Sequence, residues 1–184
     1  ILRGLVGSEM CIRDSRWIVG ETVKTLNEVN IGFDQFRFND AAQTLYSFIW
    51  GTVCDWYVEL SKPLLSTDDL KLKTETQNTM GWVIDQCLIM LHPIMPFITE
   101  ELWERLSPRK TMLVHCNWPE FDTALIDQSA DRKMNWVVNL IEAIRSARAQ
   151  MRVPAGLKIP MIFLEMDDEA CLLYTSDAAD ECSG

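Results

Sequence analysis

The stretch Asp40–Lys62, DAAQTLYSFIWGTVCDWYVELSK, decides how this chain folds. Its apolar residues recur at helical spacing, which predicts one helix running up to Pro63. At about 100° per residue, Ala42, Leu45, Ile49, Val53, Trp56 and Leu60 fall on one stripe. Tyr46, Trp50 and Tyr57 widen it on one flank, and so broad a stripe calls for more than one partner helix. The opposite side gathers Thr44, Ser47, Gly51, Cys54, Asp55, Val58 and Lys62, small or polar residues that leave a shallow surface for docking. Asn39 is the expected N-cap, and Asp40 complements the positive helix end behind it.

Outward from this helix the pattern stays helical. Upstream, Trp17, Ile18, Leu26 and Val29 predict a helix over Arg16–Ile31, punctuated by Gly32 and followed by an aromatic connector, Phe33–Phe38. Downstream, Ser66–Asp69 reads as a loop and Leu70–Leu91 as a third helix, with Met80, Val83, Ile84, Cys87, Leu88 and Leu91 turned inward. His92-Pro93 and Met95-Pro96 force a break. A fourth helix restarts near Pro96 with Phe97, Ile98, Leu102, Trp103 and Leu106, then Met112–Asp122 crosses in extended form. A fifth runs from about Gln128 to Met151, burying Met134, Val137, Ile141 and Ile144, and ends at Pro154 and Gly156. Leu157–Leu164 (LKIPMIFL) has the character of a strand. Five helices and one strand predict an all-α helical bundle with the start of a small α/β extension. A lone strand is not stable, so the body reads as truncated there.

Length and composition agree. The chain has 184 residues, 48% of them apolar, enough for one cored domain with a small appendage. Against 17 basic side chains stand 27 acidic ones, a net charge of −10, and residues 166–184 hold six acids and no base. Net charge therefore gives no general attraction to nucleic acid, and a polyanion must be met by a local basic patch. Six cysteines without a Cys-x-x-Cys pair read as reduced thiols. No apolar run nears the roughly 20 residues of a membrane span, so a cytoplasmic protein is expected, with no membrane partner. Ile1–Ser15 and Cys171–Glu181 (CLLYTSDAADE) lack any periodicity and resemble translated sequencing-adapter read-through. The expected organisation is residues 1–15 and 166–184 as non-native or disordered ends, 16–127 as the bundle, and 128–165 as a last helix and strand leading into a truncated C-terminal module.

Chemistry-bearing motifs are few. The eight glycines form no phosphate-cradling spacing. His92 and His115 belong to no nucleophile motif and no metal-ligand spacing, and read as packing or hydrogen-bonding residues. Glu100 and Glu101 point about 100° apart, which suits a helix start better than a carboxylate pair. No catalytic, cofactor or metal residue is assigned. Arg145, Arg148 and Arg152, at i, i+3 and i+7, share a ridge, and residues 129–158 hold six bases against two acids. That ridge either contacts a phosphate backbone or places cations at a helix C-terminus with salt bridges to acidic helices. Most tryptophans read as core, but the flank from Trp50 to Lys62 remains a surface able to contact bases.

Arg37–Lys62 (RFNDAAQTLYSFIWGTVCDWYVELSK) resembles the C-terminal, anticodon-binding region of valyl-tRNA synthetases, and Leu91–Trp103 (LHPIMPFITEELW) resembles the next signature of that family. Arg16-Trp17-Ile18 is similar to its opening helix, and Ile144–Lys158 (IRSARAQMRVPAGLK) to the helix leading into its C-terminal module. The second signature is shared in outline with isoleucyl- and leucyl-tRNA synthetases, whereas Cys54–Glu59 (CDWYVE) points to the valyl branch. The resemblance implies the helical bundle of a class I synthetase and a parent enzyme that joins valine to tRNA(Val) using ATP, with editing of mischarged threonine. The family's HIGH and KMSKS motifs are absent, so a fragment without cofactor, inactive by itself, is expected. Its partners would be the anticodon stem-loop of tRNA(Val) and the missing catalytic domain of the same chain, with the protein a monomer. By position, Val58, Asp55, Lys62 and Arg37 are the contact candidates, with the Arg145, Arg148 and Arg152 ridge holding phosphates. The other readings are a helical protein-interaction module without RNA and the equivalent domain of an isoleucyl or leucyl enzyme.

Overall fold

A computed structural model describes residues 12–154 and residue 157. Among them the regular structure is helical: α1 (Ile12–Asp34), α2 (Phe38–Tyr46), π1 (Ser47–Tyr57), α3 (Val58–Leu65), α4 (Leu70–Leu91), α5 (Pro96–Leu106) and α6 (Gln128–Gln150). Short 3-10 turns at Leu113–His115 and Thr123–Leu125 interrupt the connection before α6. Elements α2, π1 and α3 follow one another without a break, so the described chain forms five helical rods, as the periodicity predicts. The chain divides into two compact units at Met134/Asn135, inside α6. The strand expected over Leu157–Leu164 lies outside the described residues except for Leu157, as do residues 1–11 and 166–184 of the expected ends. Residues 12–15, expected to be patternless, are the first turn of α1.

In the first unit, α1 lies against α2, π1 and α4, and α4 also packs on α3 and α5. The core between them is built from Ile18, Leu26, Val29, Leu45, Tyr57 and Val83, each at most 2% exposed. Small polar residues share it. Thr22, Thr76 and Ser61 are buried because each hydroxyl donates to the carbonyl four residues back, Ile18 (2.7 Å), Leu72 (3.0 Å) and Tyr57 (2.7 Å). A second cluster, Leu88, Trp103 and Leu113, closes the α4–α5 end. Gly32, expected to punctuate α1, lies within it and makes the closest approach to α2: a Cβ there would sit 3.1 Å from Ala41 Cβ.

Helix ends follow local chemistry with two corrections. Asp69 caps α4, accepting from the amides of Lys71 (2.9 Å) and Leu72 (3.2 Å), and Pro96 opens α5 after the broken elbow. Asn39, however, is not the cap of the second rod. That helix already begins at Phe38, and Asn39 donates to Asp40 instead (2.7 Å); the chain reverses at Phe36, whose φ of 56° is left-handed. Nor does Pro63 stop the rod, which continues to Leu65. The carbonyl that the missing Pro63 amide would have paired belongs to Glu59, and both residues are exposed. In the second unit Val137, Ile141 and Ile144 are half-buried rather than buried. His115 is exposed, not packed, whereas His92 Nδ1 lies 2.8 Å from Thr99 Oγ1 across the elbow.

Two glycines give opposite expectations. Gly32→Val forces a branched side chain into the α1–α2 contact and should cost roughly 1–3 kcal/mol. Gly81→Ala, mid-α4 with nothing within 4 Å of the added Cβ, should gain up to about 1 kcal/mol from helix propensity. Urea midpoints of the two variants against the parent chain check both signs.

Candidate nucleic-acid interface

The surface of the second rod is set by how it is wound. An α-helical count places successive buried residues three or four apart, and the rod obeys it through Ala41 and Leu45 of α2 to Phe48 at the start of π1. Over Ser47–Tyr57 the pairing is i→i+5, and the next buried residue is Val53, five on, followed by Tyr57 and Ser61. The stripe expected at uniform α spacing is therefore displaced. Leu45 and Val53 are buried as expected, but Ala42, Ile49, Trp56 and Leu60 are only half-buried. Tyr57, assigned to a flank, is among the most deeply buried residues, and its two companions there, Tyr46 and Trp50, are 62% and 60% exposed.

What reaches solvent is a stripe of Tyr46, Trp50, Cys54, Asp55, Glu59 and Lys62. Asp55 and Lys62 stand on it as expected, less than two turns apart and within roughly 10 Å along the axis. Lys62 Nζ pairs with Glu59 Oε1 at 2.6 Å, both side chains more than half exposed, so the pair holds the ammonium weakly and releases it at small cost. Val58 is half-buried and packs on the core, which makes its role chiefly one of support. Arg37 is exposed and pairs with Asp40 at 3.2 Å. It lies at the other end of the rod, on the order of 25 Å from Asp55, so the four residues do not form one cluster. Beside the stripe, Glu21, Lys24 and Glu28 of α1 face Gln43, Ser47 and Thr52 across an open polar groove of about 330 Å³.

The arginine ridge does not survive as a ridge. The helix ends at Gln150, and Arg152, at φ 53°, occupies a left-handed turn beyond it, so the i+7 register is lost. Arg148 turns back to donate to the carbonyls of Pro154 (2.6 Å) and Leu157 (3.0 Å). Those carbonyls lie beyond the last turn of the helix, so Arg148 ties the chain that follows α6 back to it. Arg145 remains on the exposed side of α6.

Several structural residues had no clear signal in sequence. Trp118, in an irregular segment, donates to Asn30 Oδ1 (2.8 Å) and meets Phe33 with its ring tilted at 52°, centroids 5.9 Å apart. Arg109 lies 3.8 Å over the Trp103 ring and forks onto Asp85. Glu100, read as a helix-start residue, does more: its carboxylate accepts the amides of Leu113 (2.6 Å) and Val114 (3.2 Å), fixing the chain after α5. Among the described residues no three His, Cys, Asp or Glu side chains gather to hold a metal, and no helix is long and apolar enough to cross a membrane. The glycines described there, Gly20, Gly32, Gly51 and Gly81, all lie inside helices, so none of them forms a nucleotide loop.

Among the described residues the chain is an all-α bundle that presents aromatic and ionic side chains along one rod. The family model for the anticodon-binding domain of tRNA ligase matches residues 15–163, and the chain belongs to that family. It is 61% identical over 155 residues to the valine–tRNA ligase of Ruegeria pomeroyi, an alignment covering 84% of this chain and 15% of the relative. A valine–tRNA ligase of Cereibacter sphaeroides is 56% identical over 83% of the chain and 15% of the relative, and that of Zymomonas mobilis 42% identical over 83% and 18%. The chain thus spans less than a fifth of the length of these relatives.

The exposed face of the rod can be read through its thiol. Cys54 is exposed on the stripe, whereas Cys87 of α4 is buried, which pushes its thiol up to about 12, with a smaller contribution from Cys54. Iodoacetamide at pH 8.5 should label Cys54 rapidly and Cys87 only after unfolding, as peptide mass mapping would show. Because the unfolded Cys87 ionises near 8.5 and the folded one does not, stability contributed by its neutral form should fall as pH rises from about 8.5 towards 12, and Cys87→Ala should flatten that slope.

Proposed function

We propose that this chain is the anticodon-binding part of a valine–tRNA ligase and that it grips the anticodon stem-loop of tRNA(Val) along the second rod. Family membership and the names of the relatives support this reading over the isoleucyl and leucyl alternatives and over a protein-interaction module. The observation that carries the location is the exposure of Tyr46 and Trp50 beside Asp55 and Lys62. Unstacked anticodon bases find aromatic faces there, Asp55 accepts from base amino groups, and Lys62, swung from Glu59, donates to a phosphate or a base edge. Arg37, a rod's length away, meets the stem backbone, while Val58 holds the stripe to the core from below. Arg145, Arg148 and Arg152 serve the backbone only secondarily, since Arg148 is occupied by carbonyls.

On this reading the whole ligase, a cytoplasmic monomer, activates valine with ATP and edits threonine in other domains, and this part supplies recognition. Residues 16–127 form the recognition bundle and residues 128–165 lead to a further module. Few cations face the RNA, so affinity rests on shape and stacking and depends weakly on salt.

Titration of the chain with tRNA(Val) and an unrelated tRNA at two salt concentrations tests this. Binding of tRNA(Val) should be at least tenfold tighter, with a shallow salt slope. Trp50→Ala should weaken it by about 1–3 kcal/mol, and Arg148→Ala should leave it nearly unchanged. Equal affinity for both RNAs would remove the recognition claim.

A further inference from the structure

On the side of α1 turned away from the polar groove, an open cleft of about 540 Å³ lies between that helix and the irregular segment at residues 118–121. Its walls are aromatic: Phe33, Trp118 and Phe121. The indole N–H of Trp118 is bonded to Asn30, so that ring is set before any ligand arrives. Two exposed carboxylates, Asp34 and Glu120, also line the cleft, and no basic residue does. Neither carboxylate has an ion-pair or hydrogen-bond partner among the described residues. Arg37, three residues past Asp34, pairs with Asp40 instead.

Aromatic walls with uncompensated carboxylates are complementary to an organic cation. Asp34 is the last residue of α1, whose final turn holds no base, so its charge adds to the negative end of the helix dipole. Elsewhere the same chain shows what such a pairing takes. Arg109 lies 3.8 Å over the Trp103 ring while it forks onto the Asp85 carboxylate, so tryptophan, carboxylate and guanidinium are all supplied from within. In the cleft the chain supplies a tryptophan and two carboxylates but, among the described residues, no cation of its own. We infer that this cleft binds a guanidinium group on a slim apolar stem, carried by an arginine side chain of a partner protein or by a free arginine derivative. The planar cation lies against Trp118 and donates its N–H groups to Asp34 or Glu120. The inference stands apart from the anticodon reading.

The test follows the indole N–H resonances of the 184-residue chain, with that of Trp118 assigned through Trp118→Phe. The probes are N-acetyl-arginine methylamide for a protein side chain, agmatine for a free cation, and N-acetyl-citrulline methylamide, a neutral analogue of nearly the same shape. Both guanidinium probes should shift the Trp118 resonance saturably, the tighter one telling which source the cleft favours. The citrulline analogue should bind about tenfold more weakly or not at all. Asp34→Asn combined with Glu120→Gln should weaken the guanidinium probes by about tenfold while leaving the far-UV spectrum and urea midpoint unchanged. Glu120→Gln alone, expected to weaken them in the same sense, serves should the double variant not fold. No saturable shift at tens of millimolar, equal binding of the citrulline analogue, or binding that survives the carboxylate substitutions overturns the inference. So does a shift at Trp50 or Trp103 that leaves Trp118 unmoved, which puts the cation on the second rod or in place of Arg109.

Discussion

The winding of Ser47–Tyr57 governs what the second rod shows to solvent. Core packing demands that Leu45 and Phe48 on one side of this stretch, and Tyr57 and Ser61 on the other, face α1 and α4. With i→i+5 pairing the rod meets both demands by spacing its buried residues five apart once, between Phe48 and Val53. The same adjustment carries Trp50 out to solvent and brings Tyr57 in. A uniform α-helix through these residues would place one end or the other out of register with its neighbours. π segments of this kind concentrate at functional sites because they alter a face without breaking a helix.

That feature explains which parts of the architecture were legible in sequence. The boundaries of α4 and α5 follow from side chains that act locally: Asp69 as a cap, and Pro93 and Pro96 as breaks. The inward residues Val83, Cys87 and Leu88 on α4 follow from a constant period, because α4 is wound uniformly. On the second rod the period changes midway, and no residue in SFIWGTVCDWY announces it; tertiary packing selects it. Face assignments made at one angle therefore succeed at Leu45 and Val53 and fail at Tyr57. Arg152 fails for a related reason, since the i+7 spacing has meaning only while the helix lasts. The family was legible because its signatures, Arg37–Lys62 and Leu91–Trp103, are strings of residue types whose recognition does not depend on winding.

The electrostatics point the same way. A chain of net charge −10 that held RNA mainly through phosphates would need a dense basic face, and in the ridge that offered one Arg148 donates to the carbonyls of Pro154 and Leu157 while Arg152 leaves the helical register. The stripe on the second rod has a different composition: two large aromatic rings, a thiol, two carboxylates and one weakly engaged lysine. On the proposed reading such a set suits discrimination among exposed bases more than attraction of a polyanion, because stacking and edge hydrogen bonds act at contact distance whereas charge acts at range.

On the proposed anticodon reading, placing the stripe on a rod, not a loop, matters for how well it would discriminate. Trp50 and Asp55 are fixed relative to each other by backbone pairing, and the rod in turn is fixed by Tyr57, Val53 and Leu45 in the core, so little ordering remains to be done when an RNA loop arrives. Where a residue must move, the cost is kept small: Lys62 leaves only an exposed partner, Glu59. A loop carrying the same side chains would lose affinity to ordering for right and wrong anticodons alike. If the stripe reads an anticodon as proposed, selectivity between tRNAs depends on the core beneath it, through residues such as Tyr57 and Leu45 that lie buried behind the exposed face.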